Sequence, residues 1–196
     1  MISHARIDDD NLRMVVRQQK FRRAADVVTV SWSQFTEVVA IALIGSVARP
    51  LWKEVPRFSP YQQRRIELGH ECKDVDLAIW LDDLSRLGEI RRARSLAIKT
   101  EAARDPNFGV ADYHVDTFIF EPGSDRYVGR LCQFNCCPKH RPECNVTGCG
   151  AIPFNRIHHN FVLCQSILTN AADTTLYTRS KGILMSATDL PCSGSV

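Results

Sequence analysis

A chain of 196 residues with 44% hydrophobic and 24% charged side chains has the balance of an ordinary globular protein, which argues against wholesale disorder. Its length suits one domain with at most a small appendage. The longest apolar run near the middle, Val38 to Ile44, is far short of the roughly 20 residues that cross a bilayer, and a net charge of +3 neither demands nor excludes nucleic acid.

The start, MISHARIDDDNLRM, lacks the basic stretch and apolar run of a signal peptide, so a cytoplasmic location is expected. Residues 11–25 space Leu12, Val15 and Val16 as an amphipathic surface helix whose arginines form its wet face. SQFTEVVA suggests a second short helix capped by Ser33, running into a buried strand at Ala40 to Ile44. Between Pro50 and Lys73 the chain reads as a connection, with a short helix at YQQRRIEL.

KDVDLAIWL alternates as a strand, with Val75, Leu77, Ile79 and Leu81 on one face and Asp74, Asp76, Ala78 and Trp80 on the other. Asp83 and Ser85 offer caps for a helix running to Arg104, stopped by the Asp105-Pro106-Asn107 turn. A third strand is expected at YHVDTFIF, placing His114, Asp116, Phe118 and Phe120 on a shared face, and a helical segment at DRYVGRLCQF. From about Leu168 the Thr-, Ser- and Asn-rich sequence with weak periodicity suggests poor order.

Two aspartates one residue apart in a strand point the same way, and leaving both charges uncompensated in low dielectric is costly. Water, arginines or a hard divalent cation such as Mg²⁺ can each satisfy them. If the strand holding Asp116 lies beside that of Asp74 and Asp76, three carboxylates meet at one end of the sheet, enough to hold two metal ions. The Gly45-Ser46 pair follows directly on a buried strand. It reads either as a tight turn or as a place where backbone N–H groups, opening into a helix, receive phosphate.

In combination, GSVAR after a strand, DVDLAIW and VDTFIF resemble the nucleotidyltransferase superfamily of the polymerase-beta type, over roughly residues 35–120. That resemblance implies an α/β (α+β) fold, a small mixed sheet flanked by helices. It implies that Gly45 and Ser46 hold a nucleoside triphosphate, and that Asp74, Asp76 and Asp116 bind two Mg²⁺ and carry catalysis. The acceptor, whether RNA, protein or small molecule, is not named by it. Arg49, Lys53 and Arg57 follow the turn as candidate phosphate donors, Arg49 foremost. The sequence departs from small members of the family in the 27 residues between Ser46 and Asp74.

Of the eight cysteines, Cys132, Cys136, Cys137, Cys144 and Cys149 fall in one segment with His140. Such clustering favours metal over disulfides in a reducing compartment, and four thiolates suit structural Zn²⁺. The preferred set is Cys132, Cys137, Cys144 and Cys149 with Cys136 spare; His140 replacing one of them is the main alternative. Pro138 and Gly148 supply turns around the ion, and Lys139, His140 and Arg141 could face an acceptor. Cys72, Cys164 and Cys192 read as ordinary small residues. The segment leading to GCGAIPF and His158 is also similar to small bacterial stand-alone nucleotidyltransferase-like proteins. The expected organisation is a nucleotidyltransferase-like domain over 1–125, a zinc-binding appendage over 126–165 and a poorly ordered tail over 166–196.

Overall fold

The computed structural model describes residues 4–51, 71–124, 126–145, 147, 149, 151–157 and 171–192. Lys53, Arg57, the YQQRRIEL helix, Gly148, His158 and Cys164 lie outside them. Within the described residues the protein is a mixed α/β structure with two α-helices and a seven-stranded sheet. The strands are β1 (Val38–Ile44), β2 (Val75–Leu81), β3 (Val115–Phe120), β4 (Tyr127–Leu131), β5 (Asn155–Arg156), β6 (Thr175–Thr178) and β7 (Gly182–Ile183), in the spatial order β5-β4-β3-β2-β1-β6-β7. The pair β2–β3 is parallel and the other neighbours are antiparallel.

Helices α1 (His4–Trp32) and α2 (Leu87–Arg104) pack on one face of this sheet. Phe21, Ala24, Ala25, Val28 and Trp32 recur at helical spacing and are buried against Ile41, Leu43, Leu77 and Ile79. Trp32 closes that contact by donating its indole N–H to the Ile90 carbonyl of α2 at 2.9 Å, so its one polar atom is not orphaned by burial. The opposite face carries a smaller cluster of Ala42, Ile44, Ala78 and Phe120, flanked by Trp80, Phe118 and Tyr127. The alternation expected for β2 is therefore the observed one, with a core on each side.

Several expectations are corrected. Helix α1 runs well beyond residues 11–25, and its arginines are not all a wet face: Arg22 is fully buried. Residues 33–37 form turns rather than a second helix, because α1 itself ends at Trp32 and the chain must reverse into β1, which begins at Val38. Asp83 and Ser85 do not cap α2. Arg86 holds the N-cap position without a side-chain cap, while the Asp83 carboxylate accepts the Ser85 N–H at 2.9 Å and its hydroxyl at 2.6 Å.

Within the DRYVGRLCQF segment, Tyr127–Leu131 form the strand β4, and its described residues hold no helix. Gly129 explains the preference: it sits so close under Asn155 of β5 that an added Cβ would lie 1.8 Å from the side-chain oxygen, an approach that suits a strand glycine and gains nothing from a helix. His114 precedes β3 in a 3-10 turn, with its ring 5.7 Å from that of Phe21 in α1, instead of sharing the strand face of Asp116. The segment from Leu168 onward is also not a loose tail where it is described. Residues 175–178 form β6 beside β1, with Leu176, Tyr177 and Ala187 buried in the main core. Asp26 of α1 anchors the chain beyond β7, accepting the Ala187 N–H at 2.6 Å and the Ser186 hydroxyl at 2.5 Å.

Candidate metal centre

The parallel register of β2 and β3 sets Asp76 directly opposite Asp116, and Ile44 of β1 opposite Asp76 on the other side. Asp74 lies two residues before Asp76, so the pleat turns both toward the face that carries the smaller apolar cluster. As a result Asp74, Asp76 and Asp116 each bring a carboxylate oxygen within 4.8 Å of the others, an arrangement that could hold a metal ion. The start of β3 is tied to α2 by Arg94. Its buried guanidinium donates to the Val115 carbonyl at 3.1 Å, to the Thr117 hydroxyl at 3.3 Å and to Asp112 at 2.9 Å, pinning the first residues of β3.

Electrostatics mark Asp76 as the strained member. Burial, then the charges of Asp74 and Asp116, push its carboxyl up to about 7, against a smaller downward pull from Arg130. A carboxyl held that high is stabilised by a proton or by a cation, and among the described residues Arg130 is the positive charge that acts on it. Arg130 of β4 forms an ion pair with Asp116, and the Gln133 amide donates to the same Asp116 oxygen at 2.7 Å. Among the described residues, three acids and one arginine leave a net negative site of hard oxygens, which fits a divalent cation of the Mg²⁺ kind.

Gly45, at the end of β1, abuts this site. Its φ is +75°, and a Cβ added there would lie 2.3 Å from Oδ2 of Asp76. Glycine is thus required twice, by the left-handed backbone and by the approach of the carboxylate. Residues 45–48 form a turn, and the helix expected to open from it is not present among the described residues. The turn is held from behind by α1. The Gln18 amide donates to the Arg49 carbonyl at 2.7 Å, and Arg22 Nε to the Val47 carbonyl at 3.0 Å. Arg22 also donates to the carbonyls of Leu190 and Pro191, tying the turn and the C-terminal segment to one helix. The Ser46 hydroxyl bonds the thiol of Cys72, whose pKa is raised by burial.

The sequence-predicted nucleotide residues Gly45 and Ser46 therefore stand beside the acids, and Arg49 closes the same turn through its backbone, its amide donating to the Ser46 carbonyl at 3.3 Å. Reading the sequence missed Gln18, Arg22, Arg94, Arg130 and Gln133. Arg22 and Arg94 carried one available signal, a basic residue inside an apolar helical stripe. Arg130 and Gln133 carried none, since their segment reads as a helix.

The cysteine segment lies at the far edge of the sheet. Cys132, Cys137, Cys144 and Cys149 border one cavity of about 10 Å³ together with Phe154 and Arg156. Cys136 also borders it but is exposed, and His140, exposed and in the left-handed region at φ 54°, does not. Burial raises the thiols of Cys132 and Cys149. Both feel Cys137 and Cys144 as neighbouring charges and Arg156 as a compensating one. These cysteines are all free thiols.

The fold and site together define a mixed α/β protein with a three-carboxylate cluster at the ends of two parallel strands. No protein-family model, no curated protein and no solved structure matches this chain. Among the described residues no helix is long and apolar enough to cross a membrane.

Proposed function

We propose that the protein is a divalent-metal-dependent nucleotidyltransferase, moving a nucleoside monophosphate from a triphosphate to a nucleophilic acceptor. The observation that carries this reading is the meeting of Asp74, Asp76 and Asp116 against a glycine turn that admits no side chain. The likeness of GSVAR, DVDLAIW and VDTFIF to the polymerase-beta-type superfamily agrees with it, and the nucleotidyltransferase-like fold is part of the proposal. Asp74, Asp76 and Asp116 would hold the Mg²⁺ ions. Such ions supply charge neutralisation at the leaving pyrophosphate and make the acceptor hydroxyl more acidic.

The protein's own residues contribute position and field. Gly45 lets the backbone pass close to Asp76, and Gln18 and Arg22 keep that turn from shifting, so a triphosphate lying on it stays in line with the acids. Ser46 and Arg49 would steady the phosphates from the turn. Arg130, fixed on Asp116, adds a positive charge where negative charge builds up on the transferred group. Gln133 keeps the Asp116 carboxylate from rotating away from its two partners.

A catalytically silent nucleotide- or RNA-binding module is the competing reading, and the ion pair between Arg130 and Asp116 favours it, because that pair occupies part of one ligand carboxylate. Labelled nucleoside triphosphates, supplied with Mg²⁺ and separate fractions of RNA, protein and small metabolites, distinguish the two. Transfer predicts label in one fraction and none with Asp76→Asn. Absence of label from every fraction with every triphosphate, alongside retained nucleotide binding, establishes the silent module instead.

A further inference from the structure

We propose that Cys132, Cys137, Cys144 and Cys149 bind one zinc ion as four thiolates, and that this ion clamps the end of β4 so that Arg130 and Gln133 stay on Asp116. The inference does not depend on whether the protein transfers nucleotides.

Four thiols from successive parts of one segment border a single cavity. Cys132 directly follows β4, Cys137 comes from the loop beyond it, Cys144 lies in the 3-10 turn Pro142–Asn145, and Cys149 forms a bridge with Ile152 just before β5. The two strands that frame the segment are paired, Arg130 with Arg156 and Leu131 with Asn155, so both ends of the loop are fixed at one point. The cavity that the thiols border with Phe134, Pro138 and Phe154, about 10 Å³, has room for an occupant no larger than a water molecule or a single ion. A void of that size excludes an organic ligand, and the thiols among its lining residues are ligands that suit a soft metal.

Burial holds the Cys132 and Cys149 sulfurs as neutral thiols, so a metal must displace their protons, and two groups stand ready to offset the charge that this leaves. The Phe134 backbone N–H bonds the Cys132 sulfur, and Arg156 lies near both Cys132 and Cys149. Tetrathiolate zinc carries a net double negative charge, which such donors offset. The thiols are less tightly gathered than the carboxylates, which form the one group of three or more ligand side chains within 4.8 Å among the described residues. Zinc must therefore draw the loop in, and that free energy becomes folding free energy for the segment.

The position of Cys132 gives the ion its consequence. It stands between Arg130 and Gln133, the two residues that contact Asp116. Its own N–H donates to the Phe154 carbonyl at 2.7 Å, and Arg91 of α2 donates to the Gln133 carbonyl at 3.0 Å. Phe154 in turn rests on Gly88, where a Cβ would approach the ring to 2.9 Å. The thiol segment is thus docked on the same helix that holds the start of β3, and an ion at Cys132 fixes the chain on both sides of it.

The test uses the full-length protein, purified under reducing conditions. Elemental analysis is expected to find about one zinc per chain, retained in Cys136→Ser and His140→Ala and reduced at least tenfold in Cys144→Ser. Thiol titration is expected to find four cysteines that react only after a strong chelator is added. Hydrogen exchange followed by mass spectrometry reads the coupling in wild-type protein, without relying on a variant that folds. Chelation should speed exchange at least tenfold over residues 127–134 while leaving β1 and β2 protected. Protein that holds no zinc even after zinc is supplied, disulfides among these four cysteines, or loss of zinc in Cys136→Ser equal to that in Cys144→Ser overturns the site. Zinc present with unchanged exchange over 127–134 overturns the clamp.

Discussion

Asp76 and Asp116 face one another across the parallel strands β2 and β3 as direct partners in register. Like charges in that relation destabilise a sheet unless something lies between them, and the consequence is a site whose stability depends on protons and cations.

The first prediction concerns pH. In the metal-free protein the Asp76 carboxyl titrates at about 7 when folded and near its ordinary 3.8 when unfolded. Between those values the folded state binds the extra proton, so the contribution of Asp76 to stability is greatest below about pH 4, falls as pH rises toward 7 and is level above, while carboxylates such as Asp105 and Glu121, held low by their partners, act in the opposite sense in acid. Asp76→Asn should flatten that fall and melt higher than wild type near pH 8. Millimolar Mn²⁺ or Mg²⁺ near pH 8 should raise the wild-type melting temperature by several degrees, and that of the variant far less. If the wild-type transition ignores both ions, the acid cluster is not a cation site.

The second concerns the turn. Gly45→Ala places a methyl against Oδ2 of Asp76 and forces a left-handed alanine, a cost of about 1–3 kcal/mol. Urea denaturation near pH 5 should register it. Mn²⁺ binding, followed by electron paramagnetic resonance, should weaken by at least tenfold because Asp76 is displaced. Normal Mn²⁺ affinity in a destabilised variant would mean that the turn and the carboxylates are independent.

A third prediction separates the two roles of Arg130. Its guanidinium competes with any cation for Asp116 and lowers the proton affinity of Asp76. Arg130→Met should move the Asp76 midpoint, read by carboxyl NMR, above about 7 and tighten Mn²⁺ binding several-fold, while label transfer falls. The opposite sign for Mn²⁺, a loss like that expected of Asp116→Asn, would show that Arg130 chiefly holds Asp116 in place.

A fourth addresses the C-terminal segment. A chain stopped after Asn170 loses β6, which leaves one edge of β1 unpaired and removes Leu176, Tyr177 and Ala187 from the core. An apolar strand with a bare edge associates with its like, so this chain should be insoluble or lack a cooperative melt by circular dichroism. A soluble protein with the wild-type transition would reduce β6 to an ornament of the sheet.

Much of the centre of the fold was legible in the sequence. The apolar run at β1, the alternation of β2 and the VDTFIF strand are local signals, and the spacing of Asp74 and Asp76 fixes their common face without knowledge of any neighbour. What failed was what depends on distant partners. YVGRLCQF places Val128, Leu131 and Cys132 at helical spacing, yet pairing with β3 and the fit of Gly129 under Asn155 decide for a strand. TLYT is short and rich in threonine, and only its place beside β1 makes it a core element. Arg22 hid the extent of the buried stripe in α1, because a guanidinium satisfied by the carbonyls of Val47, Leu190 and Pro191 is buried for reasons that composition does not display.

The seating of β6 against β1 has a bearing on biosynthesis. Thr174, at the entry to β6, donates its hydroxyl to the Leu43 carbonyl at 2.5 Å across 131 residues of chain. At translation rates of roughly 5–20 residues per second, β1 emerges from the ribosome on the order of ten seconds before its neighbour is made. During that interval the nascent strand needs a substitute companion, so newly made chains should depend on chaperones far more than the finished protein does.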